Sequence, residues 1–354
     1  MKTCLQANTS MTRKAIMDTP DTTTLNGEKD RRKFLLFGDV HYAGPQESAR
    51  GLTETEIDVS LLQKSMVMFY RKFLWLADPI AHAHQFGRLL EKMELIKADE
   101  AICLGDLSMD TAFVGLSDPA TLESAKAMMA MATESLSAPL TWLMGDHELG
   151  KTSMIGKRGG PRIKSLQLWE KNLGLPVHWH YSWEGWRFIG VCSTLAGYQV
   201  YAPEFPEPER DEWDRAEANH RQWMRETFTS VQPDERIILF CHDPSALGFM
   251  AQIPEIREKM PQIATTWVGH MHSSLVERAG VLLSGIPPIH SMGTSIRRFS
   301  VALQKAKVWP QFRMKLCPSP SGSELLRDGG FYEMILHADP ARSTPCCIFH
   351  PNPW

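Results

Sequence analysis

Short apolar segments that each run directly into a cluster of acidic or histidine residues constrain the fold of this sequence most strongly. The apolar segments are 34–37, 101–104, 139–144, 237–241 and 265–268. The clusters that follow them are 38–41, 105–106, 145–148, 242–243 and 269–272. Apolar runs of this length, followed by turn residues, predict buried β-strands.

The polar clusters would meet at one edge of a sheet, because ligands of open α/β sheets bind just outside the carboxyl ends of the strands. Asp39 and His41 are two residues apart, as are His270 and His272. In extended chain the members of each pair point the same way. Converging oxygen and imidazole ligands predict a metal site. Imidazoles mixed with carboxylates favour Mn, Fe or Zn over Ca or Mg.

Composition narrows the class of protein. The 354 residues suffice for a well-buried core, and a hydrophobic content of 43% is ordinary for a soluble globular protein. A net charge of -3 offers no general attraction to nucleic acid, so we expect no nucleic-acid partner. Residues 1–33 lack the apolar core of a signal peptide, and no segment is long enough to span a bilayer. We therefore expect a cytoplasmic protein that touches a membrane peripherally at most.

The elements interleave without a linker, which predicts one domain over residues 34–340. A disordered polar tail is expected over 1–33 and a short tail over 341–354. Further helices are predicted over 86–95, 121–137 and 211–227, and further strands over 186–192, 281–283 and 331–336. Histidines without a neighbouring carboxylate cluster are interpreted as ordinary structural residues. They are His82, His84, His178, His180 and His290.

An insertion of about residues 42–85 separates the first two clusters and is predicted to be helical. Its apolar residues recur at helical spacing over 62–76 and include Leu74, with Lys64, Arg71 and Lys72 as the only charges. One interpretation is a core or lid helix. The other is a lipid-facing helix, since aromatic residues beside basic ones suit a membrane interface.

The ordered motifs Asp39-x-His41, Gly105-Asp106, Gly145-Asp146-His147-Glu148, His242 and Gly269-His270-x-His272 resemble those of the calcineurin-like metallophosphoesterases. The resemblance implies an α/β fold, a two-sheet β-sandwich flanked by helices in an αββα four-layer arrangement. It also implies a phosphohydrolase in which a hydroxide shared by two metal ions attacks a phosphomonoester, phosphodiester or diphosphate. The ions would be Mn or Fe, or else Zn.

The same resemblance assigns roles to individual residues. The first ion would be held by Asp39, His41, Asp106 and His272. The second would be held by Asp106, Asp146, His242 and His270. Asp106 would bridge the ions, because a carboxylate oxygen can serve two cations and an imidazole nitrogen cannot. His147 would contact the phosphate and protonate the leaving oxygen. Glu148 would be structural or would orient the loop.

Two positions depart from the family pattern. Asp146 stands where the family usually has Asn, and the extra negative charge should weaken attraction for an anionic substrate. On this basis Asp146→Asn is expected to retain or raise turnover. Asp110 lies four residues after Asp106, whereas the family commonly has an acid three residues after its bridging Asp, where it orients the catalytic His. Asp110 is interpreted either as a catalytic residue in that role or as a surface acid.

The sequence is also compatible with other functions. Residues 145–152 satisfy the pattern of a Walker A phosphate loop, which would indicate an NTPase, although Asp146 and Glu148 bring negative charge to the loop and Gly156 helps to break any following helix. A basic loop could instead grip substrate phosphate, with Arg297 and Arg298 in a similar role. Its residues are Lys151, Lys157, Arg158, Arg162 and Lys164. The chain could also be a metal-free scaffold, or a lipid diphosphate hydrolase like the family's UDP-diacylglucosamine hydrolases.

Overall fold

The computed structural model describes residues 30–51, 60–73, 75–153, 158–273, 278, 282–285, 287, 294–341 and 343–352. Some residues named above lie outside these ranges. They are residues 1–29, Leu74, Gly156, Lys157, Val281 and His290.

Within the described ranges, ten strands form two five-stranded sheets. In chain order they are β1 (Arg31–Phe37), β2 (Glu100–Cys103), β3 (Leu140–Trp142), β4 (Trp179–Trp183), β5 (Trp186–Val191), β6 (Arg236–Cys241), β7 (Ile263–Val268), β8 (Met314–Leu316), β9 (Gly330–His337) and β10 (Cys346–Pro351). The first sheet has the order β10-β9-β1-β2-β3, and the second has the order β4-β5-β6-β7-β8. Strands β1, β2 and β3 are parallel, as are β5 to β8, so their carboxyl ends share one edge of each sheet.

Helices cover both sheets. They are α1 (Pro45–Arg50), α2 (Leu61–Phe73), α3 (Pro79–His82), α4 (Gln85–Ile96), α5 (Pro119–Ser135), α6 (Asp146–Leu149), α7 (Ile163–Lys171), α8 (Ser193–Ala196), α9 (Tyr198–Tyr201), α10 (Arg210–Ser230), α11 (Leu247–Met250), α12 (Pro254–Lys259) and α13 (Thr294–Lys305). Short 3₁₀ segments lie at 115–117, 202–204, 207–209, 244–246, 260–262 and 306–312. None of the helices in the described part of the chain combines the length and the apolar character that crossing a bilayer requires.

Side chains that alternate between the two faces of each strand build the layers of the fold. Phe34 of β1 faces the second sheet, where its ring lies 5.0 Å from that of Phe188 in β5. Leu35, the next residue, faces outward into the cluster that includes Leu89 of α4. On the far side, Leu239 of β6 packs in a cluster with Phe228 of α10. Because successive strand residues point to opposite faces, each sheet is buried on both sides. The result is the helix-flanked two-sheet sandwich that the resemblance implied.

The buried strands match the sequence-based predictions, and the differences lie at the edges. Strand β1 begins at Arg31, inside the predicted disordered tail, because residues 31–33 pair with 335–337 of β9. Strand β10 lies in the predicted C-terminal tail and extends the sheet beyond residue 340. The prediction of a strand at 281–283 is wrong for Leu282 and Leu283, which belong to no strand.

The insertion is helical over α1, α2 and α3, but α2 is not a core helix. Only Val67 and Arg71 of its thirteen residues are buried. The chain then turns inward, and Trp75 and Leu76 pack with Met109. The core interpretation of the 62–76 stripe is therefore wrong for α2, because all of its apolar side chains except Val67 are exposed.

Candidate metal centre

Side chains from five strand ends converge at one edge of the sandwich. In the first group, one ligand atom from each residue lies within 4.8 Å of the others, and the members are Asp106, Asp146, His242 and His270. A second group with the same spacing consists of Asp39, His41 and His272. The structure thus brings together all seven residues that the sequence analysis named as metal ligands. Their binding of metal stays a prediction.

Asp106 lies between the two groups. Its Oδ2 atom is 3.2 Å from His242 Nε2 and 3.8 Å from His41 Nε2. Across the first group, Asp146 Oδ1 is 3.6 Å from His242 Nε2 and 3.4 Å from His270 Nδ1. A single carboxylate oxygen therefore faces both sets of donors, which is the arrangement required of a bridging ligand.

Unpartnered buried atoms test whether metal ions suit these donors. Asp39, Asp106 and Asp146 are buried together, each exposing 2% or less. Among the described residues, Asp39 Oδ2, Asp146 Oδ1 and His242 Nε2 have no hydrogen-bond partner. Buried polar atoms normally have partners, and clustered carboxylates are costly without compensating charge. Two divalent cations would satisfy both needs, and mixed oxygen and imidazole donors suit Mn, Fe or Zn. The residues fit a dinuclear centre.

Backbone carbonyls fix the orientation of two imidazoles. His242 Nδ1 lies 2.8 Å from the carbonyl of Leu104, and His147 Nδ1 lies 2.8 Å from the carbonyl of Met109. Since a carbonyl can only accept, each Nδ1 must carry the proton and donate. The Nε2 atom of each ring is then free of hydrogen in the neutral form and faces the site. For a proposed ligand such as His242, this is the second contact that metal-ligating histidines usually make.

The backbone at these strand ends is left-handed, which residues other than glycine adopt rarely. Asp39, His41, Asp106, His270 and His272 have φ angles of 51°, 49°, 54°, 61° and 58°. Such conformations cluster at functional sites, where surrounding structure enforces them.

Steric constraints explain why glycine occupies two positions within the motifs. A Cβ atom at Gly145 would lie 2.1 Å from Asp106 Oδ1, and one at Gly269 would lie 2.4 Å from Asp39 Oδ2. The liganding carboxylates can sit at the sheet edge because these two positions carry no side chain.

Glu148 ties two of the strand ends together. Its carboxylate accepts the backbone N–H groups of Asp106 at 2.9 Å, Leu107 at 2.8 Å and Gly145 at 2.9 Å. The His147 N–H donates to Asp106 Oδ1 at 3.0 Å. These contacts give Glu148 the loop-orienting role that the sequence suggested. They also occupy the N–H groups of Gly145 and His147, two of those that a Walker A cradle would offer to phosphate, and α6 ends after four residues. The loop is therefore not built as a nucleotide cradle.

His147 faces Asp106 from the other side of the site. Its Nε2 atom is 3.8 Å from Asp106 Oδ2 and contacts the Nζ atom of Lys151. Burial, together with the nearby Lys151 ammonium, lowers the pKa of His147 to about 4. Burial likewise lowers the pKa of His272 to about 3. For Asp106, burial acts to raise the pKa, but His242 and His147 outweigh it and hold the pKa well below its usual range.

Asp110 fits neither role considered for it. It is not a surface acid, because it is buried with 1% exposure. It is not seen orienting His147 either, since the carbonyl of Met109 occupies the His147 Nδ1 atom. Instead Asp110 Oδ1 accepts the N–H groups of Val114 at 3.0 Å and Gly115 at 2.9 Å. Asp110 therefore shapes its own loop.

The predicted basic loop contributes one residue to the site, Lys151. Arg162 donates to the carbonyls of Gly160 and Pro161, and Arg158 lies over the ring of Phe113. Lys164 is exposed on α7. The loop does not act as a unit, because its other described cations point elsewhere.

Two sets of contacts near the site were not anticipated from the sequence. Trp75 Nε1 donates to His272 Nδ1 at 3.2 Å, and its ring lies under Lys151 Nζ. Behind the ligand group that contains Asp146, Arg298 Nη1 donates to Asp146 Oδ2 at 3.1 Å. Tyr201 OH donates to Asp243, whose carboxylate lies 3.9 Å from His270 Nε2. The polar cluster at 242–243 and the arginine pair were the available signals, but neither identified the partners.

Comparison with known proteins agrees with this geometry. Residues 32–274 match the calcineurin-like phosphoesterase family, and the chain belongs to that family. It is accordingly a metal-dependent phosphoesterase, a hydrolase of phosphate esters whose family implies a dinuclear divalent metal site. No curated protein sequence matches the chain.

Several solved structures are similar to this chain at low sequence identity. A dimetal phosphatase from Danio rerio is 13% identical with a TM-score of 0.50, and the match covers 91% of this chain and 96% of that one. The anchor protein GAP50 of the Plasmodium inner membrane complex is 11% identical with a TM-score of 0.42, covering 91% and 85%. A purple acid phosphatase from yellow lupin is 15% identical with a TM-score of 0.32, covering 68% and 38%.

Proposed function

We propose that the chain hydrolyses phosphomonoesters, phosphodiesters or diphosphates at a centre of two Mn or Fe ions, with Zn as the alternative metal. The proposed ligands are Asp39, His41, Asp106, Asp146, His242, His270 and His272. The observation that carries the proposal is the position of Asp106 Oδ2, which faces His41 in one group and His242 in the other. Bound there, the ions would supply Lewis acidity and a nucleophile from water at neutral pH.

The chain's own residues supply the remaining chemistry. His147 holds its Nδ1 proton against a carbonyl and directs Nε2, which is unprotonated in the neutral ring, into the site. There Nε2 could first take up a proton and then pass it to the leaving oxygen of a substrate. Lys151 contacts that Nε2 atom and adds positive charge at the mouth of the site. Its ammonium suits the binding of a phosphate group as a point charge.

A substrate panel tests the proposal. Protein reconstituted with Mn²⁺, Fe²⁺ or Zn²⁺ should hydrolyse members of a set of mono- and diesters and diphosphates, and a chelator should abolish the activity. Asp106→Asn should reduce turnover roughly 100-fold or more, since metal ions contribute several kcal/mol to such reactions. His180→Gln, on a strand away from the site, is the control. Less than one bound ion per chain after reconstitution would instead support a metal-free scaffold.

A second candidate substrate is a lipid-linked diphosphate, favoured by the surface of α2. Its exposed apolar side chains are Leu61, Leu62, Met66, Met68, Phe69, Tyr70 and Phe73. The helix carries Lys64 and Lys72 outside its buried face, a third basic residue, Arg71, that is buried, and no acid. Two residues after its end, Trp75 contacts His272 in the site. An apolar, basic helix continuous with the centre suits peripheral contact with an anionic lipid surface of the cytoplasmic face.

Vesicle sedimentation tests this candidate. The wild-type protein should sediment with vesicles that contain phosphatidylserine, and Phe69→Glu should weaken binding about tenfold or more, because it places a charge on the apolar face. Leu95→Glu replaces an exposed leucine of α4 and serves as the matched control. Equal binding by both variants would reject α2 as the membrane contact. A lipid diphosphate should also be hydrolysed faster than its water-soluble headgroup analogue.

A further inference from the structure

Asp146 uses its two carboxylate oxygens for different purposes. Oδ1 faces the imidazoles of His242 and His270 at 3.6 and 3.4 Å. Oδ2 points the other way and accepts a hydrogen bond from Arg298 Nη1 at 3.1 Å. The pair joins residues 152 positions apart, from α6 and α13. One oxygen is thus available to a metal ion, while the other is already held by the protein.

Arg298 is itself immobilised. Its Nε and Nη2 atoms donate to Glu204 at 2.7 and 2.6 Å in a two-pronged contact. Its guanidinium lies over the ring of Tyr201, 4.9 Å from the centroid. The side chain is 14% exposed, against 4% for Glu204 and 3% for Asp146. Because the planar fork is fixed by Glu204, Nη1 has one direction in which to donate, toward Asp146.

Charge in this cluster is balanced. Arg297 also donates to Glu204, at 2.7 Å, and to the carbonyl of Val200 at 2.8 Å. Two arginines therefore face two acids, Glu204 and Asp146, and the four charges sum to zero. The negative charge that Asp146 brings relative to an Asn is cancelled by the cluster. Both arginines are engaged with protein groups, which argues against the phosphate-gripping role considered for them.

We propose that Arg298 is a positioning residue that makes Asp146 a working metal ligand. It holds Oδ2 outward so that Oδ1 faces the metal site, and it neutralises the additional carboxylate. An Asn at position 146 would turn its NH₂ group either toward the Arg298 donors or toward the metal. In the first case the NH₂ group would face the N–H donors of Arg298, and in the second it would face a metal cation. Both arrangements are unfavourable in a buried site. The inference rests on the proposed function in taking Asp146 as a ligand.

The proposal reverses the sequence-based expectation for Asp146→Asn. With Arg298 in place, that variant should bind Mn²⁺ at least tenfold more weakly than wild type. Adding Arg298→Met to the Asp146→Asn variant removes the opposing donors, and affinity should return to within about threefold of wild type. In the wild-type background the same Arg298→Met change leaves Asp146 without its partner and should weaken Mn²⁺ binding. The sign of the Arg298→Met effect therefore depends on residue 146.

A double-mutant cycle read by calorimetric Mn²⁺ titration, and by the unfolding midpoint of each protein in chelator, tests this dependence. Arg187→Met is the matched control: Arg187 pairs with Glu235 at comparable exposure, 15% and 11%, away from the site. Additive effects at 146 and 298 would overturn the proposal, as would wild-type Mn²⁺ affinity in Asp146→Asn. If Arg298→Met does not fold, Arg298→Lys replaces it. Arg298→Lys keeps the positive charge but loses the planar guanidinium. We therefore expect it to weaken Mn²⁺ binding less than replacement of Asp146 does.

Neither readout depends on hydrolysis. Coupling between residues 146 and 298 without any phosphoesterase activity would support the positioning role while rejecting the proposed function. Activity without coupling would do the reverse.

Discussion

At the scale of single residues, Glu148 shows how one side chain can set the geometry of several ligands. Its carboxylate accepts N–H groups from the loops that follow β2 and β3, and it is fully buried. Three backbone N–H donors from two loops thus converge on one buried carboxyl group. The loops that present Asp106 and Asp146 are therefore joined before any ion binds.

Glu148→Gln should destabilise the protein by about 2–4 kcal/mol, because an amide NH₂ would face backbone donors and leave buried N–H groups unsatisfied. Denaturant unfolding measures the loss. Mn²⁺ affinity should fall as well, since the loops are no longer fixed. Glu94→Gln, which alters a surface carboxylate bonded to Ser137, is the control. Unchanged stability of Glu148→Gln would contradict the role given to this carboxylate.

Lys151 should act mainly in substrate binding. Lys151→Met removes the ammonium next to His147 and is expected to raise KM for anionic phosphate esters about tenfold, a loss of roughly 1.4 kcal/mol of binding. Lys151→Arg keeps the charge and should lose less. Steady-state kinetics distinguish the two, and Lys126→Met, a surface lysine paired with Glu123, is the control. A KM that does not change in Lys151→Met would exclude the contact with substrate.

The seven proposed ligands could be found from sequence because each follows an apolar strand, so one rule of strand geometry gathers them. Arg298 could not be connected to Asp146 in this way, since the pair depends on how α13 packs, 152 residues along the chain. Asp110 misled for a related reason. The family resemblance made it a candidate partner for His147 although its spacing from Asp106 departs from the family pattern, but local loop geometry gives that position to the carbonyl of Met109.

At the scale of elements, the segment immediately before β4 contacts helix α10 through two histidines. His178 Nδ1 lies 3.1 Å from His220 Nδ1, and the ring of Trp223 stacks on His178 at 4.0 Å. His220 is buried with 1% exposure. Burial lowers the pKa of His220 to about 3, and His178 contributes to the lowering. The contact therefore requires a neutral His220 ring.

This contact predicts acid sensitivity. Below about pH 6.5 the unfolded chain protonates His220 while the folded chain does not until about pH 3. The unfolded state then binds more protons, so the free energy of unfolding falls with pH, by about 1.4 kcal/mol per unit for one ring. Urea unfolding between pH 7 and pH 4.5 should show a shallower fall for His220→Gln than for wild type. The exposed His84→Gln should retain the wild-type slope, and equal slopes in all three proteins would reject the assignment.

The elements that could be predicted are those whose burial is evident from the pattern of apolar residues in the sequence. Strands β6 and β7 are covered on both faces; β6 reads as a nearly continuous apolar run, and β7 is mainly apolar apart from Thr265 and Thr266. Strand β4 has the sequence Trp-His-Tyr-Ser-Trp and lies at a sheet edge, as does β10. Half-exposed edge strands carry polar or mixed side chains, and here antiparallel pairing with the adjacent strand in the chain, β5 for β4 and β9 for β10, is what makes them strands. The pairing of β10 with β9 could not be deduced from composition.

At the scale of the whole molecule, the proposed metal centre joins the two sheets. The first sheet supplies Asp39, His41, Asp106 and Asp146 from the ends of β1, β2 and β3. The second sheet supplies His242, His270 and His272 from the ends of β6 and β7. Each group draws on both sheets. Bound ions would therefore link the halves of the sandwich at the edge where their strands end.

Metal binding should consequently stabilise the whole fold. Each ion that binds only the native state adds about 2.7 kcal/mol when its free concentration is 100 times its Kd. Calorimetric unfolding should thus show a midpoint several degrees higher in excess Mn²⁺ than in chelator, with a single transition because both sheets are linked. Asp106→Asn should lose most of this shift, since the carboxylate faces both groups, whereas Arg187→Met should retain it. A midpoint that is the same in Mn²⁺ and in chelator would show that the seven side chains hold no structural metal pair.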